Sequence, residues 1–270
     1  MVSGGKGPPG RSPRRLGQNF LADPNLLDAI VREADLASSD VVLEVGGGSG
    51  ALTERLAAMV NWLHVVEIDE RLRDDLESLA GEHRCIGLVW GDAMKVDLSD
   101  LLPHPNKMVS NLPYSIATPL LVRTIAELPS LRTWVVMVQR EIADRLRAAP
   151  GTKEYGSASV LVQLACEVTM LRSVDPAVFV PRPRVGSALL RLTRKRKGAD
   201  EDLAALVRLA FAHRRKSLAR SLELARAGSL EPARIALEAI DKPADSRAEA
   251  LSPDEFERFG QALAKTRGRR

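Results

Sequence analysis

Short, largely apolar runs alternate along the chain with segments in which apolar residues recur at helical spacing. The runs occupy residues 41–45, 63–68, 86–90, 108–110, 134–138 and 187–192. Apolar runs of about five residues are typical of strands that are buried on both faces of a parallel sheet. Because helical segments separate the runs, the pattern predicts an α/β fold, with a mostly parallel sheet and helices on both of its faces.

The pattern changes past about residue 198. Leu203 begins a series of apolar residues with a helical period, and Ser252 followed by Glu255 forms a capping box that predicts the start of a last helix. Residues 158–171 fit a helix or a strand equally well. We therefore predict three segments, which are a disordered basic arm over 1–16, the α/β domain over 17–198 and a small helical domain over 199–270.

Composition limits the class of protein. The chain has no run of roughly 18 apolar residues that could span a membrane, and its N-terminus lacks the apolar core of a secretory signal. Cys85 and Cys166 lie in apolar surroundings with no Cys or His at ligand spacing. We interpret them as core thiols in a reducing cytoplasm and expect neither a zinc site nor a disulfide.

The net charge of +4 is unevenly distributed. Residues 1–16 combine Gly, Pro and Ser with four basic side chains, and residues 191–226 hold eleven Lys and Arg against four Asp and Glu. A solvated helix face would by itself account for such a run. Together with the basic arm, however, the run favours a polyanionic partner such as a nucleic acid.

Polar residues or glycines follow four of the predicted strands. The four segments are Glu44-x-Gly46-x-Gly48-x-Gly50, Glu67-x-Asp69, Gly91-Asp92-Ala93 and Asn111-Leu112-Pro113-Tyr114. Open α/β sheets bind ligands at the carboxyl ends of their strands, where glycines allow close approach and carboxylates suit ribose hydroxyls and an adenine amino group. The sequence therefore predicts a nucleotide site. The spacing of Gly46, Gly48 and Glu67 also satisfies the dinucleotide fingerprint, so a hydride-transferring dehydrogenase stays an alternative.

The fourth segment places an amide and an aromatic ring, Asn111 and Tyr114, at a strand end. Pro113 fixes its own φ and biases Leu112 toward an extended conformation. An amide can accept from and donate to an exocyclic amino group, and an aromatic ring can stack on a base. Alone, the segment fits a structural turn equally well. Beside the other three strand ends, it favours the acceptor half of a site that acts on a planar amine.

In this order, the motifs resemble those of the ribosomal RNA adenine dimethylases, a family of S-adenosylmethionine-dependent methyltransferases. The similarity covers most of the chain and extends to residues 17–21, 155–156, 179–185 and 211–218. It implies a Rossmann-like class I fold with a mostly parallel seven-stranded sheet, and S-adenosyl-L-methionine as cofactor. The resemblance assigns cofactor binding to Gln18, Asn19, Leu21, Gly46, Gly48, Glu67, Asp92, Ala93 and Asn111.

The resemblance also implies how the acceptor is held. The Asn111 side chain and the carbonyl of Leu112 or Pro113 would accept hydrogen bonds from the adenine N6–H groups. Tyr114 would stack on the base and Phe179 would close its other face. Methylation of an aromatic amine needs its lone pair aimed at the methyl group, and no strong base, so the site would work by orientation. RNA phosphates would be held by Arg182, Arg184, Arg214, Arg215 and Lys216.

The activity implied is dimethylation of N6 on two adjacent adenosines in the 3′-terminal hairpin of small-subunit (16S) rRNA, by a cytoplasmic monomer without a metal. The helical C-terminal segment favours this over the large-subunit (23S) dimethylases that confer drug resistance. A protein-glutamine or DNA-adenine methylase and a non-catalytic assembly factor on the same fold are further alternatives. Three residues depart from the family pattern. Gly47 occupies a position where the family often has Pro, Ser115 one where Asn is usual, and Gly186 one near the target loop where Asp is common.

Overall fold

The computed structural model of the protein describes residues 20, 21 and 23–267, so the predicted basic arm and the predicted cofactor ligands Gln18 and Asn19 lie outside the described residues. The strands are β1 (Phe20–Leu21), β2 (Val41–Val45), β3 (Trp62–Glu67), β4 (Ile86–Trp90), β5 (Lys107–Asn111), β6 (Thr133–Gln139), β7 (Cys166–Val174), β8 (Phe179–Val180) and β9 (Ser187–Arg194). The α-helices are α1 (Pro24–Ala34), α2 (Ala51–Ala57), α3 (Arg73–Glu82), α4 (Ala117–Glu127), α5 (Arg140–Arg147), α6 (Ser157–Ala165), α7 (Glu201–Phe211), α8 (Leu218–Ala225), α9 (Leu230–Glu238) and α10 (Pro253–Arg267).

The main sheet has the strand order β4-β3-β2-β5-β6-β9-β7. Strands β2 to β6 pair in parallel, and β9 is antiparallel to both of its neighbours. The predicted mostly parallel, seven-stranded sheet is therefore confirmed. The strand order reverses between β2 and β5, and a reversal of this kind opens a crevice at the carboxyl ends of the two strands. A separate antiparallel pair, β1 with β8, places Leu21 opposite Phe179.

Burial explains why the strands appear as apolar runs in the sequence. All five residues of β2 are buried, and consecutive residues face different sides of the sheet. Val42 belongs to the apolar cluster with α1 and α2, whereas Leu43 belongs to the cluster on the side of α4 and α5. Both faces of the central strands are thus covered by helices, so most of their positions are apolar.

Residues 158–171, which fitted either kind of element, are divided between the two. Helix α6 ends at Ala165, and β7 begins at the next residue. Val162 packs in the cluster against the sheet, whereas Leu161 and Leu164 pack in the cluster of the C-terminal helices. A helix buried on both sides has no polar face, so its sequence shows no clear helical period.

Helices α7 to α10 share an apolar core with α6 and with Tyr155, whose hydroxyl donates to the Leu251 carbonyl at 2.9 Å. The predicted capping box before α10 is confirmed, because the Ser252 and Glu255 side chains each accept the backbone N–H of the other residue. No helix within residues 20, 21 and 23–267 has the length and apolar character needed to cross a bilayer. The domain bounds at 17–198 and 199–270 stay a prediction.

Candidate active site

A cavity of about 240 Å³ lies at the carboxyl ends of β2, β3, β4 and β5, where the strand order reverses. The strands β2 and β5 pair at Val42–Lys107 and Leu43–Met108. Beyond those pairs, the Ser110 hydroxyl accepts the N–H of Val45 at 2.9 Å. The two strands are therefore bridged by a side chain at the point where the crevice begins.

The loop between β2 and α2 approaches the acceptor motif closely. Gly46 and Gly48 have φ values of 84° and 58°, a left-handed conformation that favours glycine. A Cβ atom added at Gly46 would lie 3.5 Å from Cδ of Pro113 and 3.8 Å from the carbonyl oxygen of Asn111. The predicted cofactor loop and the predicted acceptor motif therefore form adjoining walls of one cavity.

Glu67, at the end of β3, holds this loop in place. Its Oε2 accepts the N–H of Gly48 at 3.0 Å, and its Oε1 accepts the N–H groups of Ile68 and Asp69, both at 2.8 Å. Each carboxylate oxygen can accept two hydrogen bonds. One acceptor position on Oε2 is therefore left for a hydroxyl group in the cavity, as the sequence predicts for a ribose.

Asp92, which follows β4, accepts a backbone hydrogen bond and is also partly exposed to the cavity. Its Oδ1 accepts the N–H of Met94 at 2.9 Å, and its side chain, 31% exposed, lines the cavity with Ala93. The loop is held from α4, because the Arg123 guanidinium donates to the carbonyls of Ala93 and Val96 at 2.7 and 2.9 Å. Asp92 therefore caps a turn, and its carboxylate also reaches the cavity.

The acceptor motif forms a tight turn at the end of β5. The N–H of Leu112 donates to the Met137 carbonyl at 3.1 Å, and the N–H of Ile116 donates to the Pro113 carbonyl at 3.1 Å. Of the two backbone carbonyls predicted to receive the substrate amine, that of Pro113 therefore already accepts a hydrogen bond within the turn. The half-buried Tyr114 ring lines the cavity, and its hydroxyl lies 2.7 Å from Oγ of Ser187.

The structure does not bring Phe179 to the cavity. Its side chain is 2% exposed and packs in the apolar cluster with Leu21 and Leu27, because β8 pairs with β1. The next residue, Val180, is 62% exposed. Among the described residues, Tyr114 is the predicted stacking residue that lines the cavity, whereas a stacking role for Phe179 requires a different position of β8.

One buried acid of the cavity is missing from the predicted set of site residues. Glu44 is completely buried in β2, and its Oε2 accepts from the Thr53 hydroxyl at 2.7 Å. Burial raises the pKa of Glu44 to about 8. A single acid in the middle of an otherwise apolar strand is the sequence signal that could have marked it. Further lining residues outside that set include Leu27, Ile68, Ser115 and Ile116.

The predicted RNA-binding residues differ in their surroundings. Arg182, Arg184, Arg214, Arg215 and Lys216 are all exposed. The Arg214 guanidinium, however, also donates to the carbonyls of Lys153 and Tyr155, both at 2.9 Å, which ties the segment after α7 to the one before α6. Arg214 is therefore engaged within the fold, and its sequence neighbours are the better candidates for phosphate contacts.

No group of three or more His, Cys, Asp and Glu side chains that could hold a metal ion is found within the described part of the chain. Cys85 and Cys166 are free thiols, and burial raises the pKa of Cys166 to about 11. Cys166 is buried, as expected of a core thiol, whereas Cys85 is only partly buried and packs against the core.

The strand order, the glycine loop after β2 and the acids after β3 and β4 define a Rossmann-like nucleotide-binding protein. Within that class, a family model described as ribosomal RNA adenine dimethylase matches residues 11–258. The chain belongs to this family. The family assignment leaves the dehydrogenase alternative without support.

Individual relatives agree with the family. The chain is 42% identical over 253 residues to a ribosomal RNA small subunit methyltransferase A of Rubrobacter xylanophilus, covering 92% of this chain and 94% of the relative. A protein of the same name from Ligilactobacillus salivarius is 39% identical over 266 residues, covering 93% and 90%. Among solved structures, a dimethyladenosine transferase from Plasmodium falciparum gives a TM-score of 0.78 at 26% identity, covering 92% of this chain and 98% of that one. The 23S rRNA methyltransferase ErmE gives 0.66 at 26% identity, covering 91% and 100%.

Proposed function

We propose that this protein transfers methyl groups from S-adenosyl-L-methionine to N6 of two adjacent adenosines in the 3′-terminal hairpin of small-subunit (16S) rRNA. The observation that carries the proposal is the close approach of the glycine loop to the acceptor motif at Gly46 and Pro113. A methyl donor and an amine acceptor must meet within one cavity, and these two segments form adjoining walls of such a cavity.

The cavity fits the cofactor chemically. Gly46 and Gly48 have no side chain to obstruct a ligand that approaches the loop. Glu67 offers an acceptor position for a ribose hydroxyl, and the Asp92 carboxylate offers one for the amino group of an adenine. Leu21 of β1 adds an apolar side chain to the wall of the cavity. When bound, the cofactor supplies an electrophilic methyl group on a positively charged sulfur.

The residues of this chain orient the acceptor. The exocyclic nitrogen of adenine shares its lone pair with the ring, so a productive attack requires the amine to be turned and held. We assign this role to the Asn111 side chain and the Leu112 carbonyl as acceptors of the N6–H groups, and to the Tyr114 ring as the surface on which the base stacks. The nitrogen becomes acidic once it is methylated, so its proton can leave without a strong base.

The substrate class follows from the family and from the exposed cations. The five residues predicted to bind RNA are all exposed, and the four other than Arg214 can each neutralise a phosphate. The named relatives at 39% and 42% identity are small-subunit methyltransferases, which supports the small over the large subunit as target. We further propose that the protein acts as a cytoplasmic monomer during small-subunit biogenesis, with the catalytic domain over 17–198 and the RNA-binding domain over 199–270.

The test is incubation of the purified protein with labelled S-adenosyl-L-methionine and ribosomal subunits that lack the modification, followed by mapping of the labelled nucleotides. We expect label on two neighbouring adenosines near the 3′ end of the small-subunit RNA. Label on the large subunit would establish the large-subunit alternative instead. Binding of small subunits without any transfer would establish a non-catalytic assembly factor.

A further inference from the structure

The Tyr114 hydroxyl makes a side-chain contact that spans the site. It lies 2.7 Å from Oγ of Ser187, which is 73 residues further along the chain. Ser187 is the first residue of β9 and is 2% exposed. It pairs with Gln139 on one side and with Val174 on the other, so its backbone is fixed between two neighbouring strands.

This contact determines the orientation of the Tyr114 ring. Tyrosine has two rotatable side-chain bonds, and the turn after Pro113 already fixes the position of its backbone. With the hydroxyl bound at the far end, the long axis of the ring is held at both ends. A surface on which a base stacks can position that base only if its own location is fixed.

The segment before Ser187 is anchored as well. The N–H of Arg140 donates to the Gly186 carbonyl at 2.9 Å, which holds the start of β9 against the end of β6. The exposed residues Arg182 and Arg184 precede this anchor. The same strand start therefore supports both the loop with the two exposed arginines and the aromatic ring in the cavity.

We infer that Ser187 is a positioning residue for methyl transfer, which holds the Tyr114 ring at the location required by the target base. This inference rests on the proposed function. Ser187 does not line the cavity, and it acts through the tyrosine hydroxyl alone. Removing either partner of the hydrogen bond should consequently have the same effect as removing both.

The experiment is a double-mutant cycle with Ser187→Ala, Tyr114→Phe and the combined variant, assayed on unmethylated small subunits. We expect kcat to fall about fivefold in each single variant, the amount that corresponds to one hydrogen bond, and no further in the combined variant. Cofactor Kd should stay unchanged. Ser221→Ala is the matched control, because it removes a buried hydroxyl that donates to the Leu209 carbonyl in the helical segment, and it should leave kcat unaltered.

A second readout does not depend on activity. The chain has two tyrosines, so protein labelled at tyrosine Cζ gives two carbon resonances, and the Tyr114→Phe spectrum assigns them. Ser187→Ala should shift the Tyr114 resonance and leave that of Tyr155 in place. An unshifted resonance, or multiplicative losses of kcat in the combined variant, would overturn the positioning role. A shifted resonance in a protein that methylates no ribosomal adenosine would instead refute the proposed function.

Discussion

Single residues in this site combine a structural contact with a position toward the cavity. Glu67 accepts three backbone N–H groups, and Asp92 accepts one, yet both side chains line the cavity. Such contacts hold a carboxylate in a fixed orientation before any ligand arrives. The acids of the site are therefore preorganised, and the free-energy cost of ordering them does not fall on ligand binding.

Asn111 is the residue on which the orientation mechanism depends most directly. We expect Asn111→Ala to lower kcat by at least about 100-fold, because a small misplacement of the amine is enough to lose that factor. The side chain is only partly buried at the end of β5, so the thermal midpoint measured by circular dichroism should change little. Turnover close to that of the unaltered protein would contradict the mechanism.

Glu44 gives a prediction about stability and pH. Burial raises its pKa to about 8 from an ordinary value of 4.5, so between these values the folded state holds a proton that the unfolded state has lost. The free energy of unfolding should therefore fall as the pH rises from about 4.5 to about 8. Glu44→Gln is neutral at every pH and keeps an oxygen for the Thr53 hydroxyl. In this variant the decline in the free energy of unfolding between these pH values should be smaller by on the order of a few kcal/mol.

Urea unfolding at several pH values measures the effect of Glu44. Glu54→Gln is the matched control, because it makes the same substitution at an exposed position of the neighbouring helix α2. The explanation is wrong if Glu44→Gln leaves the pH dependence of stability as steep as that of the unaltered protein.

At the scale of elements, the site depends on side chains that join segments at the strand ends. The Ser110 hydroxyl bridges β5 to β2 at the reversal of strand order, and Arg123 of α4 holds the loop after β4. Each contact links a segment that lines the predicted cofactor site to β5 or α4, the elements on either side of the predicted acceptor motif. The separation of the two walls is thus set by side chains as well as by backbone pairing.

Arg123→Lys tests one of these links. A lysine keeps the charge near Glu127 but cannot donate from a planar fork to the carbonyls of Ala93 and Val96. We expect cofactor Kd, measured by calorimetry, to rise about tenfold as the loop with Asp92 loosens, and kcat at saturating cofactor to change little. Arg145→Lys, in an exposed pair on α5, is the control. An unchanged Kd would show that the loop does not need this support.

At the scale of the whole molecule, we expect exposed cations near the start of α8 to contact RNA. Arg214, Arg215 and Lys216 are all exposed, but the Arg214 guanidinium donates to two backbone carbonyls of the fold. We expect Arg214→Gln to lower the thermal midpoint, because it removes hydrogen bonds between segments of the fold. RNA affinity should depend on its two neighbours instead.

Neutralising Arg215 and Lys216 together as Gln should weaken RNA binding and make the slope of log K against log salt shallower by about 1.5, since each phosphate contact contributes about 0.7 to 0.9. Cofactor affinity should not change. The control is the double variant Arg32→Gln/Arg84→Gln, because Arg32 lies in the last turn of α1 and Arg84 precedes β4, away from the carboxyl ends of the strands. An unaltered salt slope would show that the two cations are solvated side chains that contact no phosphate.

The sequence by itself determined the parallel sheet and the four strand ends that meet at the cavity, because strands buried on both faces leave continuous apolar runs and the motifs are contiguous. Tertiary structure decided which distant side chains meet. Tyr114 binds Ser187, Arg214 supports the fold, and Phe179 packs in the core. These outcomes depend on strand order and on packing between segments far apart in the chain, which no local pattern of residues contains.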